Sequence, residues 1–278
     1  MADKAGIDPD LEREYNQRAR VPEHAEIFAR WARVSEILRA GRECSLGVAY
    51  AAHARQAVDI LHAPDPVATL AFIHGGYWRS LDKSMFSFVA APFLARRITV
   101  ALVGYRLCPE VPLASVVNDC AQALDELVDR SRELGLPMQR YALAGHSAGG
   151  QLATMMLTRK ASALHAGLCA VASLSGLFVL EPLLRCSMNV DLCLDEASAR
   201  QGSPALLAPA HDLPVCLETG DQETEAFRAQ SALLKRAWPG MDIEACEVHD
   251  ANHFTIVDAF ASGEARSTGF LFEHLLRD

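Results

Sequence analysis

The run YALAGHSAGGQLATMML carries the most chemistry in the chain. An apolar stretch enters Gly145-His146-Ser147-Ala148-Gly149 and leaves into helical spacing, which is G-x-S-x-G in the strand, turn and helix context that gives the pattern meaning. Glycines at 145 and 149 remove side chains that would collide in so sharp a turn, and the Ser147 hydroxyl is left standing above it as a nucleophile. A serine hydroxyl is weak until a base takes its proton, so the pattern calls for a histidine held by a carboxylate, in the chain order serine, acid, histidine. LPVCLETGDQE puts Asp221 just past a strand-like run, and EVHDANHF puts His253 just past the next one. Glu218 and Glu223 flank Asp221, and His249 precedes His253 by four residues. Glu218 falls inside its strand and His249 at the end of its own, which favours the loop residues: Asp221 as acid and His253 as base.

HGGYWRSLDKS supplies the complementary part. Attack on an acyl carbon builds negative charge on its oxygen, and backbone N–H groups must approach that oxygen closely. Glycines allow the approach, so the N–H groups of Gly76 and Tyr77, or of Gly75, are expected to converge there with that of Ala148. Tyr77 and Trp78 then wall the acyl pocket, and His146 sits at the substrate beside the nucleophile. His74, ending a strand, reads as hydrogen-bonded scaffold, and Lys83 and Ser84 as an exposed helix start.

The elements that must hold these residues are legible as alternating patterns. Short β-rich runs fall at 56–61, 68–73, 98–105, 141–145, 168–176, 213–220 and 243–249, several continuously apolar as in strands covered on both faces. Helical spacing recurs at 113–134, 148–160 and 224–237, and before the first strand at 11–18 and 22–40, where Ile27, Phe28, Trp31, Val34, Ile37 and Leu38 form one apolar face. This alternation predicts an α/β fold with a mostly parallel central sheet and helices on both faces. Residues 177–210 break the rhythm and read as an insertion at a strand end, where loops build sites.

The chain has 278 residues, half of them hydrophobic, enough for one large α/β domain spanning 1–278, with 1–42 as an amino-terminal helical arm. No run is long and apolar enough for a membrane helix, and MADKAGIDPDLERE lacks the layout of a signal peptide, which predicts a cytoplasmic protein. Eight cysteines lie singly in apolar segments with no C-x-x-C pair, so they read as reduced core thiols, and neither a metal nor another cofactor is expected. A net charge of −9 without charged blocks argues against nucleic acid or an anionic membrane as partner. A small-molecule substrate is the expected partner, and a homodimer is left open.

Taken together, HGGYWRSLDKS, AGHSAGG, SGLFVLEPLLRCSMNVDLCLD, ETGDQETEAFRAQS and HDANHF resemble the kynurenine formamidases (arylformamidases) and closely similar bacterial α/β-hydrolase esterases. The resemblance covers residues 10–275. It implies the α/β-hydrolase fold, with a cap-like insertion after the sixth strand, and metal-independent cleavage of N-formyl-L-kynurenine or small esters. Ser147, Asp221 and His253 would be the triad, with the HGGYW glycines in the oxyanion hole. The arm LEREYNQRARVP is more similar to the bacterial esterase branch. A binding protein on the same scaffold is the rival class, and an intact triad speaks against it.

Overall fold

A computed structural model of the chain describes residues 6–159 and 167–277. Its centre is one eight-stranded sheet of β1 (Cys44–Ala49), β2 (Ala57–Leu61), β3 (Ala68–Ile73), β4 (Ile98–Val103), β5 (Tyr141–His146), β6 (Leu168–Leu174), β7 (Val215–Gly220) and β8 (Ile243–Val248), in the order β1-β2-β4-β3-β5-β6-β7-β8. From β4 to β8 every neighbouring pair is parallel, while β1 and β2 run antiparallel at one edge. The expected α/β-hydrolase architecture is borne out.

The continuously apolar runs are buried on both faces for the expected reason. Along β3, Ala71 and Ile73 enter the core on one side while Leu70 and Phe72 enter the core on the other. The first side is covered by the helices Leu113–Asp129, Ala148–Met156 and Glu225–Ala237. The second is covered by the arm and the carboxy-terminal helices Thr255–Ser262 and Arg266–Leu275. Strand β1 lies outside the runs expected from sequence. Gly47 at φ +66° and a register shift between Ser45 and Val48 break the alternation that would mark it.

The arm forms α1 (Pro9–Tyr15), α2 (Gln17–Arg20) and α3 (His24–Ala40). Trp31 is fully buried in the second core, and its indole N–H donates to Asp258 in Thr255–Ser262. Residues 177–210 hold no strand. Their loops and short helical turns send Leu177, Phe178, Leu183 and Met188 into the first core. The elbow helix ends at Met156, short of the expected Lys160: residues 157–159 leave it in a turn, and Lys160 itself lies outside the described residues, as do residues 1–5 of the arm.

Candidate active site

Parallel strands deliver their carboxyl ends to one edge of the sheet, and the chemistry-bearing residues gather there. Ser147 follows β5 directly, with φ +55° and ψ −117°, a conformation that costs energy in a non-glycine residue. It is held by its N–H donating 2.7 Å to the Leu174 carbonyl and by the helix that starts at Ala148. The glycines make the elbow possible: a Cβ on Gly149 would lie 2.0 Å from the Ile73 carbonyl oxygen, and one on Gly145 would lie 2.2 Å from that of Gly149.

His253, in the turn after β8, places Nε2 3.0 Å from Ser147 Oγ. Its Nδ1 lies 2.7 Å from Glu223 Oε2. The other carboxylate oxygen of Glu223 accepts from the Gly220 N–H at 2.8 Å and from the Ser175 hydroxyl. Both side chains are almost wholly buried, so a carboxylate that would be costly alone has three donors. The expectation that Asp221 orients His253 is corrected here. Asp221 is the first residue past β7 and points outward, where its Oδ2 meets His249 Nδ1 at 2.8 Å on the surface. That bond is the main cause holding Asp221 below the usual carboxylate range and raising His249 above the usual histidine value. Two residues later the turn has reversed, and Glu223 points inward. Glu218 stays within its strand, receives the Ser267 hydroxyl and N–H, and has its pKa raised by burial.

The turn after β3 is equally specific. Gly76, Tyr77 and Trp78 take positive φ values of 114°, 50° and 55° in succession. Gly75 packs flat on the elbow, where a Cβ would fall 2.8 Å from the His146 carbonyl oxygen and 3.2 Å from Ser147 Cβ. Gly76 and Tyr77 line the cleft over Ser147, and among the described residues no protein acceptor takes their N–H groups or that of Ala148. The Tyr77 hydroxyl donates 2.6 Å to the Tyr15 carbonyl in the arm. Trp78 departs from expectation. The reversed turn drives it fully into the core, where its indole N–H donates 3.0 Å to Gln151 Oε1. Gln151 in turn donates to the Gly202 carbonyl at 2.8 Å, so one buried amide ties the glycine turn, the elbow helix and the insertion together.

His146 lines the cleft as expected and is anchored to the backbone behind it. Nε2 donates 2.7 Å to the His253 carbonyl oxygen, which fixes the tautomer, and burial pulls its pKa down to about 3. His74 is stacked on Tyr105 at 4.3 Å with its pKa pulled to about 4 by burial, as scaffold. Lys83 begins a helical turn capped by Asp82, whose side chain accepts the Ser84 N–H, but the lysine is largely buried in an ion pair with Asp59 at 3.3 Å and not exposed as expected.

Asn16, Gln17 and Arg18 of the arm, Phe28 of α3 and Met188 of the insertion complete the cleft, with Phe254 beside His253. It opens over about 460 Å³ of empty space. A buried hydroxyl, an imidazole within proton-transfer distance, a carboxylate behind it and free backbone donors in front of it can together attack and cleave an acyl bond.

A family model described as α/β hydrolase fold matches residues 70–207. A solved structure from Silicibacter sp. TM1040, provisionally described as a thioesterase, superposes with a TM-score of 0.86 at 30% identity, covering 96% of this chain and 99% of that one. The chain belongs to the α/β-hydrolase family. Within that family it is similar to a kynurenine formamidase of Salmo salar, 26% identical over 74% of this chain and 72% of the relative. It is also similar to an ethyl acetate hydrolase of Pseudomonas putida, 32% identical over 34% of this chain and 30% of the relative. This α/β-hydrolase is accordingly an enzyme of the kynurenine-formamidase-like and esterase-like kind. Among its described residues no group of three His, Cys, Asp or Glu side chains is placed to hold a metal, and no helix is long and apolar enough to cross a membrane.

Sequence reasoning missed Glu223 as the partner of His253, although it stood among the rivals. It also missed Ser175, Gln151 and Tyr15. Ser175 had one available signal, its place immediately after an apolar strand at the same edge as the elbow.

Proposed function

We propose that this protein is a serine hydrolase that cleaves a small acyl amide or ester through an acyl-enzyme, with formyl and acetyl as the acyl groups and an arylformamide of the N-formyl-L-kynurenine type as the leading substrate. The observation that carries the reading is the buried chain Ser147, His253, Glu223, with distances of 3.0 and 2.7 Å, at the floor of a narrow cleft. Ser147 Oγ attacks the acyl carbon while His253 Nε2 takes its proton. The oxyanion that forms accepts N–H groups of Gly76, Tyr77 and Ala148. Glu223 holds the imidazole in the tautomer whose Nε2 is free to accept and stabilises the imidazolium that results. His253 then returns the proton to the leaving amine or alcohol. Water repeats the sequence to release the acid and regenerate Ser147.

Tyr77, on the glycine turn, lines the cleft with Ser147 and supports a short acyl group. Phe28 and Phe254 give the leaving group aromatic neighbours, as an aryl amine or phenol would use. Similarity to the ethyl acetate hydrolase favours a second reading, a carboxylesterase for small alkyl or aryl esters. Labelling by a fluorophosphonate that maps to Ser147 and is lost in Ser147→Ala tests the mechanism. Comparing kcat/KM for N-formyl-L-kynurenine and for aryl acetates decides the substrate. A protein unlabelled at Ser147 yet active would overturn the serine reading.

A further inference from the structure

The arm grips the glycine turn at two points. The Tyr77 hydroxyl donates to the Tyr15 carbonyl, and Arg18 of α2 donates 2.7 Å to Ser80 Oγ at the far end of the same turn. The second contact does not stop at the serine. Ser80 packs against Gly76, where a Cβ would fall 2.2 Å from the Ser80 carbonyl oxygen, and the Ser80 hydroxyl donates 2.9 Å to the Gly76 carbonyl. A guanidinium can only donate, so Ser80 Oγ accepts on the Arg18 side and its single proton is left for Gly76. The Gly76 carbonyl also receives the Arg79 N–H at 3.1 Å, so two donors hold the plane of the Gly76–Tyr77 peptide. In a trans peptide the N–H points opposite to the C=O, and the groups that pin the Gly76 carbonyl therefore also aim the Tyr77 N–H. Among the described residues no protein acceptor takes that N–H.

The contacts form one chain in which every donor points the same way: guanidinium to hydroxyl, hydroxyl to carbonyl and, across the peptide, N–H toward the acyl oxygen. Hydrogen bonds in series polarise one another, and a peptide whose carbonyl is drawn toward positive charge carries a more positive N–H. The charge at the start of the chain is not cancelled. Arg18 lies 5.7 Å from the centre of the Phe28 ring, and among the described residues no carboxylate is ion-paired with it, whereas Arg79 is paired with Asp191. An ester in its ground state gains little from such a donor, and the oxyanion gains most, because the charge appears only as the serine attacks. Resting on the serine-hydrolase reading above, we propose that Ser80 and Arg18 are positioning residues of the oxyanion hole, a relay from the arm that aims and strengthens the Tyr77 N–H.

The test sets an uncharged substrate, phenyl acetate, beside 2,2,2-trifluoroacetophenone, a ketone without a leaving group. Ser147 Oγ adds to the ketone carbon, the carbonyl π pair moves onto the oxygen and the serine proton goes to His253, so the adduct holds an oxyanion where the transition state would. Ser80→Ala should lower kcat/KM for phenyl acetate about tenfold, less than the 10²–10³ of deleting such a donor outright, and raise the Ki of the ketone by the same factor. Inhibition by phenol, which makes no oxyanion, should not change. Arg18→Met, which keeps the length of the side chain but not its charge or donors, should cost about fivefold in both readouts, and Ser80→Thr, which keeps the hydroxyl, should stay within about twofold of wild type. Because Arg18 acts through Ser80, the double variant should lose no more than Ser80→Ala alone. Should Ser80→Ala fail to fold, the ketone Ki of Arg18→Met decides. Unchanged kcat/KM, losses that add in the double variant, or a ketone Ki that stays constant while kcat/KM falls overturns the relay. So does a phenol Ki that rises in step, which marks a general disturbance of the cleft. Failure of the serine reading itself would look different: the ketone would inhibit the wild type no better than it binds Ser147→Ala, and the relay would fall with it.

Discussion

Replacing Glu223 by glutamine keeps the shape and removes the charge, and the hydrogen bonds around it say where the new amide must point. Oε1 receives the Gly220 N–H, a backbone donor that cannot turn away, as well as the Ser175 hydroxyl. The glutamine oxygen is therefore drawn to that side, and its NH₂ group faces His253 Nδ1 at the 2.7 Å position. An N–H donor there requires Nδ1 to accept, so the imidazole proton moves to Nε2, facing Ser147. In that tautomer His253 cannot take the serine proton. The analogous acid-to-amide change in a serine protease triad costs about 10⁴ in turnover, and Glu223→Gln is expected to cost roughly the same, about 5.5 kcal/mol of transition-state stabilisation. Asp221→Asn should change kcat by no more than about twofold, because it disturbs a half-buried carboxylate whose partner, His249, lies on the surface away from Ser147 and His253. The assay is kcat on p-nitrophenyl acetate for both variants, with thermal unfolding to verify that each is folded. A folded Glu223→Gln enzyme above a tenth of wild-type turnover, or an Asp221→Asn enzyme that is nearly dead, refutes this assignment of the acid.

Other outcomes follow from the same contacts. Ser147→Ala should stay folded and fall to near background, and because the triad acts as a unit the added loss in a double variant with His253→Ala should be small; additive losses on p-nitrophenyl acetate would contradict it. His74 and His146 are neutral when folded, with pKa values near 4 and 3, against about 6.5 unfolded, so only the unfolded chain takes up protons as pH drops below 6.5. Stability should therefore be full above that value and decline on acidification by up to about 2.7 kcal/mol per pH unit between pH 6 and 4; urea unfolding that is flat between pH 7 and 5 would count against it. Acyl preference should drop about tenfold in kcat/KM for each step from acetate to butyrate to octanoate, and Tyr77→Ala should relax it. Trp78→Ala should instead destabilise the protein by about 3–5 kcal/mol with no gain for long acyl chains, since that ring fills core and not cleft. Activity should survive dialysis against EDTA, and a loss restored by zinc would point to a different chemistry.

The sequence by itself determined what depends on neighbours in the chain. Gly145 and Gly149 around Ser147 specify the elbow because each glycine yields to backbone only a few residues away or in the adjoining strand. Continuously apolar runs specified the doubly covered strands, and the missed β1 is the one whose alternation is broken by Gly47 and a bulge. The order serine, acid, histidine placed the acid within three residues of Asp221, and His253 at the proper turn. Which carboxylate of ETGDQE faces inward, however, is set by the direction of a turn over two residues and by donors from Ser175 and Gly220, which no local pattern encodes. The same holds for HGGYW, where three successive positive φ values send Tyr77 to the cleft and Trp78 to the core. Arg18 is a surface residue of a short helix in the sequence. Only the packing of the arm over the cleft, through contacts such as Tyr77 to Tyr15 across 62 positions of chain, brings its charge to the mouth of the site. Side-chain direction at turns and contacts between distant segments are decided by the whole fold's packing and hydrogen bonding, and there the tertiary structure alone decided.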